Sequence, residues 1–358
     1  MEDSKPINVE KLIELTRCND ILFDFLRKNN ALFSCEGVCT RCGHGHIHLN
    51  CEKSSSDGLI WRCSTRHCTY KISFRKHSFF SGSKLQIARI TKIIYFWAHR
   101  YPREIVIHET GISNGSVVAF YNFLLEACCI VLQEQSEPIG GPGTFVEIDE
   151  SKFRTREYHL GKRAKGVWFF GGIERDSNPP KCFFIPIEDC SAATIIPVIK
   201  QWIKPGTTVL SDCWKQYYLL EAQGYIHSTA NHSIEFVSKS GTHRNNTASH
   251  WNALKRSLPR YRTTKAVCFS HFVDYCIRRK FLDNAKDKFL ETLRLISLVY
   301  HPNRSLDIQP ESVLQPQAQH EPQPQPQPLI VEKLLSQSDN NNVGNITTEE
   351  NSSDFSLM

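Results

Sequence analysis

Apolar residues recur every three to four positions over residues 7–34, where the run VEKLIELTRCNDILFDFLRK has the spacing of an amphipathic helix. Residues 35–80 break that rhythm. They are rich in Cys and His and carry short strand-like pieces, LIWRCS and TYKISF. A helical period returns from Ser83 to Val131. Around Gly111 it resembles a helix-turn-helix, with Gly111 at the turn and Ser113 as N-cap of a second helix. Asn114, Ser116 and Val117, near the start of that helix, would enter a major groove. The helix is scarcely basic, and a helical hairpin that only bridges domains fits the same pattern.

The Gly/Pro hinge EPIGGPGT at 137–144 marks a boundary, and the period changes beyond it. TFVEIDESKF, GVWFFGGIER and KCFFIPIED are three β-branched or aromatic runs separated by turn-like loops. A helix, SAATIIPVIKQWI, is opened by Ser191 as N-cap. Next come a strand in TTVLSD, a helix in WKQYYLLEAQ, a strand-like YIHSTANHSIEFV, and a helix in GTHRNNTASHWNALKRSLP. The expected architecture is an α/β sheet that begins as a meander.

From about Pro302 the pattern collapses into QPQAQHEPQPQPQP and SQSDNNNVGN, too poor in apolar surface to offset the entropy of ordering. Residues 302–358 are expected to be disordered. Their short apolar patch, LIVEKLL at 329–335, is a candidate partner-binding helix.

Charge sharpens the division. The net value is +6, but from His301 onward two cations, Arg304 and Lys333, face eight acids, so residues 1–300 carry +12. Between Gly241 and Lys280 nine Lys and Arg accompany one acid, Asp274. Such a local excess points to a polyanion, with phosphate foremost; a solvated basic face is the plainer alternative. The opening MEDSKPINVEKLIEL lacks the basic-then-apolar order of a signal peptide, and no apolar run approaches the roughly 18 residues of a membrane span. A soluble, intracellular protein without a membrane partner is expected. With 358 residues, 40% of them hydrophobic, the chain has room for two or three folded units. Its fourteen cysteines, in a reducing compartment, read as metal ligands and small core residues.

Two sets of residues carry candidate chemistry. Cys39 and Cys42, in CTRC, are followed after twenty residues by Cys63 and Cys68, in CSTRHC. Two close thiolate pairs around a hairpin-sized insert suit tetrahedral Zn²⁺, which would supply much of the folding free energy of so small a module. His44, His46, His48, Cys51 and His67 are spare donors, any of which would serve as a substitute. The second set is acidic. Asp149, in EIDE, and Asp212, in VLSDCW, each stand near the end of an apolar strand, where a charge is costly unless solvated, paired or bound to a metal. Two such carboxylates in one sheet would share hydrated Mg²⁺, though a strand-end Asp is more often a turn residue or helix cap. Strand alternation puts Glu147 on the face of Asp149 and Glu150 on the other.

FVEIDESKF, GVWFFGGIER, PGTTVLSDCWKQY and VSKSGTHRNNTASHWNALKRSLP occur in an order that resembles the catalytic core of Merlin-type DNA transposases and their bacterial insertion-sequence relatives. The resemblance spans residues 35–285 and extends to the Cys-rich and helical segments, which look like that family's zinc ribbon and helix-turn-helix. It implies an RNase H-like DDE integrase domain, which the strand order also suits, at residues 141–285. An N-terminal helical segment (1–34), a zinc ribbon (35–80) and a helical DNA-binding region (81–136) would precede it. Such enzymes use two Mg²⁺ or Mn²⁺ ions to cut DNA at element ends and join the 3′ hydroxyl to target DNA. The family's first two catalytic aspartates fall on Asp149 and Asp212. Its third acid, a glutamate three residues before a Trp, falls on Ala248, ahead of Trp251. Neither Asn245, Ser249, His250 nor Glu235 is a convincing replacement. Cys190 also stands where the family tends to have arginine.

The resemblance therefore implies a transposase-derived DNA-binding protein with impaired catalysis. An active enzyme using another third ligand and a host-recruited DNA-binding scaffold are the alternatives. Lys255, Arg256, Arg260 and Arg262 are the expected phosphate contacts, while Trp251 and Leu254 are expected to pack that helix on the sheet. Assembly as a homo-oligomer on DNA, a protein partner for the tail, and nuclear localisation complete the expectations.

Overall fold

Helices from both ends of the described chain close one core. The computed structural model describes residues 5–32, 37–153, 167–178, 180–211, 219–229, 253, 254, 256 and 265–300. Asn8 opens α1 (Val9–Arg17), its side chain accepting from the Lys11 backbone N–H. The helical pattern of residues 7–34 is divided: Cys18, at φ −122° and ψ 126°, is extended and separates α1 from α2 (Asn19–Lys28). The break lets the two helices reach different partners. Phe23 of α2 packs on Phe74 at 4.7 Å between ring centroids, while α1 lies against α3 (Ile87–Ala98).

Residues 37–80 hold an antiparallel sheet of β1 (Ile47–Cys51), β2 (Leu59–Cys63) and β3 (Lys71–Ser73). β2 and β3 fall within the two predicted strand pieces; β1 is a third strand, which the sequence pattern does not mark. Arg75 ties this sheet to the chain that leaves it. Its guanidinium grips Asp57 at 2.5 and 2.6 Å and donates to the Ser83 carbonyl at 2.9 Å. Both charged side chains are almost wholly buried, where an ion pair persists only when its geometry and remaining hydrogen bonds are satisfied.

α3 is followed by α4 (Arg103–Thr110) and α5 (Asn114–Glu134). Gly111 ends α4 in the left-handed region at φ 63°, which glycine adopts without steric cost. Ser113 caps α5 by accepting from the Ser116 N–H. Contrary to the expectation that no run approaches a membrane span, α5 is long and apolar enough to cross one by length and composition. In this fold its buried positions, among them Val117, Phe120, Leu124 and Val131, belong to the helical core.

The second sheet is mixed, in the order β6-β5-β4-β7-β8. β4 (Phe145–Phe153), β5 (Val167–Glu174) and β6 (Cys182–Ile187) form the antiparallel meander. After α6 (Ala192–Trp202), capped by Ser191, the chain returns as β7 (Thr208–Ser211), parallel to β4. β8 (Ile226–Thr229) pairs parallel to β7 at the edge. Alternation along β4 sends Val146 and Ile148 to the α6 side, with Phe170, Phe183, Ile199 and Val209. Phe153 goes to the opposite side, with Phe169, Phe184, Leu254, Cys268 and Phe272.

Cys268 and Phe272 belong to α7 (Lys265–Ile277), which runs into a π-helical turn (Arg278–Leu282) before α8 (Lys288–Val299). α7 is shared between cores: Phe272 lies against the sheet, whereas Val273 and Ile277 are buried among the helices. Arg278 fastens the junction. It is buried over the Trp97 ring at 4.4 Å and bonds Asp274 and the carbonyls of Ala98 and Trp97 at 2.7, 3.1 and 2.9 Å. Those carbonyls close α3, so the cation adds charge-assisted bonds at a helix C-terminus, where the Trp97 carbonyl also accepts from the Arg100 N–H. Asp287 caps α8 and accepts from the Ile7 N–H at 2.7 Å, joining the two ends of the described chain. Among the described residues the result is a mixed α/β fold with two sheets and flanking helices.

Candidate functional site

Cys39 and Cys42 precede β1, Cys63 ends β2, and Cys68 sits in the β2–β3 connection. Their four sulfurs lie within 4.8 Å of one another, with Cys39 and Cys68 3.7 Å apart and Cys42 and Cys63 3.6 Å apart. Sulfurs about 2.3 Å from one tetrahedral centre are about 3.8 Å apart, so this spacing suits a metal of zinc's size. The turn is shaped around the thiols: a Cβ on Gly45 would stand 2.5 Å from Cys63 Sγ. Backbone N–H groups of His44 and Gly45 point at Cys42 and bring its thiol down to about 5. At Cys68 the Tyr70 backbone acts in the same direction, but burial and the neighbouring thiols outweigh it and raise the thiol to about 11. Thiolate is the ligand form, and these four cysteines could bind zinc. The spare donors are not part of the cluster; His44, His46, His48, Cys51 and His67 are all exposed.

The acidic set is built on β4. Asp149 is half-buried, opposite Gly171 of β5. Glu147, two residues earlier on the same face, is only 4% exposed and forms an ion pair with Arg175 Nε. Glu150 faces the other way. Burial first, then the charges of Glu150 and Asp189, push Cys190 up to about 11 there. Asp189 itself is held below the usual carboxylate range by the Ser191 hydroxyl, the Ser191 N–H and the Thr194 hydroxyl, and so helps cap α6. EIDE thus divides its labour: Glu147 is buried in an ion pair, while Asp149 is half-buried. Arg175 is the residue that sequence reading missed. Its signal, a cation just past β5 whose N–H bonds the Phe145 carbonyl, depends on a strand register that composition does not give.

On the other side of β4, Val146 is level with Val209 and Glu147 with Leu210 of β7. β7 is described to Ser211, whose hydroxyl lies 2.9 Å from His227 Nε2 on β8. Burial lowers the His227 pKa against the opposing charge of Glu221. The Asp149 face of the sheet is the one on which Leu254 is fully buried, as expected of a core position. Arg256 is exposed. Asp212, Ala248, Trp251, Lys255, Arg260 and Arg262 lie outside the described residues, as do the other neighbours weighed for the third acid and the tail 302–358.

Residues 135–276 match the family model of the ISXO2-like transposase domain. That segment begins at the C-terminal end of α5 and ends in α7. An uncharacterized transposase-like protein of Haemophilus influenzae is 25% identical over 96 residues, covering 27% of this chain and 77% of that protein. Both similarities support a transposase-derived protein. A chain from the cryo-EM structure of the simian T-cell lymphotropic virus intasome in complex with PP2A regulatory subunit B56 gamma aligns with 66% of this chain and 79% of its own length. Its identity is 10% and its TM-score 0.22, a superposition too loose to carry an argument.

Proposed function

We propose that the chain is a DNA-binding, transposase-derived protein of the DDE class and Merlin type, with an RNase H-like sheet and impaired cleavage. The observation that carries this reading is the parallel pairing of β4 and β7 inside the transposase-like segment. Glu147 is level with Leu210, and Asp149 and Asp212 each follow two residues later in sequence. The three antiparallel strands followed by two parallel ones support the RNase H-like assignment. Leu254 is buried on the Asp149 face, and by the resemblance Ala248 stands in place of the third acid.

Asp149 and Asp212 are hard oxygen donors that would hold Mg²⁺ or Mn²⁺. Such an ion, when bound, activates a water or hydroxyl and stabilises a leaving oxygen in phosphodiester chemistry. Cys39, Cys42, Cys63 and Cys68 would hold a structural Zn²⁺ in a zinc ribbon. Lys255, Arg256, Arg260 and Arg262 would contact phosphates without regard to sequence, and α4–α5 would add a second DNA contact. Action on DNA fits a nuclear protein assembled as a homo-oligomer on its substrate, with the tail free to recruit a protein partner.

The test is DNA binding across 50–200 mM salt together with cleavage of DNA carrying candidate element ends in Mg²⁺ or Mn²⁺. Salt-dependent binding with little cutting is expected. Ala248→Glu should gain cleavage and lose it again when combined with Asp149→Asn. Absence of binding at low salt overturns the DNA-binding assignment. Robust wild-type cleavage that vanishes in Asp212→Asn overturns the impairment and leaves the DDE assignment standing.

A further inference from the structure

Strand register lines up cations on the outer face of the Cys-rich sheet. Arg62 of β2 stands opposite His48 of β1 on one side and Lys71 of β3 on the other, and all three are exposed. Trp61 and Cys63, the neighbours of Arg62, are buried on the reverse face with the thiol cluster. Like charges set directly opposite across a sheet repel, and Arg62 and Lys71 are such a pair. Arg41, Lys53 and Arg66 add exposed cations to the same module. Two acids occur in residues 37–80. Asp57 is taken up by buried Arg75, which leaves Glu52, 3.1 Å from Lys71 Nζ, to offset the row. Arg62 has no ion pair among the described residues.

The same chain carries a counter-charge. Residues 334–358 hold Asp339, Glu349, Glu350 and Asp354 and no Lys or Arg. The tail departs from Tyr300, whose ring packs edge-on against Phe79 at 5.5 Å, six positions past β3. It therefore leaves the folded body against the Cys-rich module. Fully extended, residues 301–338 would reach about 120 Å, so length does not limit the contact.

We propose that the acidic segment 339–354 docks on the His48–Arg62–Lys71 row of its own chain. Its carboxylates give Arg62 a partner and exchange with Glu52 at Lys71. Tethering makes the encounter intramolecular, at about millimolar effective concentration for a flexible linker, so a weak contact is filled. The stretch 241–280, with nine Lys and Arg to one acid, is the competing surface in the chain; the exit of the tail beside Phe79 favours the Cys-rich module. Docking is independent of the transposase reading. Its consequence, competition with DNA phosphates for the same cations, rests on that reading.

The test treats full-length protein, mixed in equal amounts from isotopically light and heavy chains, with a water-soluble carbodiimide that joins Lys to Asp or Glu in contact. Mass spectrometry maps the links. A Glu52–Lys71 link is the internal control that the reagent reaches this face. Links from Lys71 or Lys53 to the 339–354 peptide are expected, each all-light or all-heavy. They should disappear in 1 M salt, where the Debye length is about 3 Å. Arg62→Gln removes no lysine and no thiol, and should lower them about threefold while the control link persists. Asp339→Asn, Glu349→Gln, Glu350→Gln and Asp354→Asn together should tighten binding of a short duplex DNA at low salt by about threefold. The control link without tail links, tail links to Lys255 or Lys265 instead, or mixed light–heavy pairs would each overturn the proposal. Tail links with unchanged duplex affinity overturn the competition alone. Wild-type protein that binds no duplex overturns the DNA reading, and the links then still decide docking.

Discussion

Glu147→Gln should destabilise the sheet without touching the candidate metal site, while Asp149→Asn, two residues away on the same face, should do the reverse. Removing one charge of a fully buried ion pair costs about 3–5 kcal/mol, because the other is left without compensation. The Glu147 side chain is 6% exposed and that of Arg175 is 23%, so water recovers part of the guanidinium's loss. A cost of about 2–3 kcal/mol follows. Asp149 is half-buried and stands outside that ion pair, so its amide should cost less stability than Glu147→Gln does. Hydrogen exchange on β4 and β5 peptides reads this sheet separately from the helical core. Since 1.4 kcal/mol is tenfold, Glu147→Gln should speed exchange about 30- to 150-fold. Mn²⁺ binding followed by electron paramagnetic resonance should survive Glu147→Gln and fall in Asp149→Asn. Wild-type exchange in Glu147→Gln, with rapid exchange in Asp149→Asn, would refute the division of roles.

Three further outcomes follow from the same geometry. Chelation should strip about one Zn²⁺ per chain and unfold residues 37–80, and Gly45→Ala should weaken retention by crowding Cys63 Sγ; metal analysis and circular dichroism check both. Phe272→Ala, which removes a ring stacked 4.2 Å from Phe169, should cost about 3–5 kcal/mol and lower the urea midpoint. His227 has a folded pKa below its unfolded value of about 6.5, so its contribution is fully present above that pH and is lost as pH falls through the depressed value. Protection of β7 and β8, corrected for intrinsic exchange rates, should drop between pH 7.5 and 5.5, and His227→Gln should flatten that dependence.

Local signals were legible where local chemistry decides the structure. The three aromatic and β-branched runs are β4, β5 and β6; Ser113 and Ser191 cap the helices they were expected to cap; Gly111 takes the left-handed turn. The two cysteine pairs converge because each brackets a tight turn, one before β1 and one after β2. What stayed hidden depends on partners distant in sequence. Nothing near Arg278 announces that it closes α3, 180 residues earlier, and nothing near Glu147 names Arg175. The apolar length of α5 looked too short for a membrane span because polar Asn122 and Glu126 interrupt the run, although its mean hydropathy passes. The place of Asp149 on an apolar strand is legible in the sequence; the ion pair of Glu147 requires the strand register.

The matched segment stops at residue 276, inside a helix whose two sides serve different cores. Excised there, the fragment would present Val273 to water and lose both Ile277 and the Arg278 anchor on Trp97 and Ala98. The matched stretch therefore shares a core with residues outside it. An expressible, monodisperse piece of this protein would have to carry the helical half with it.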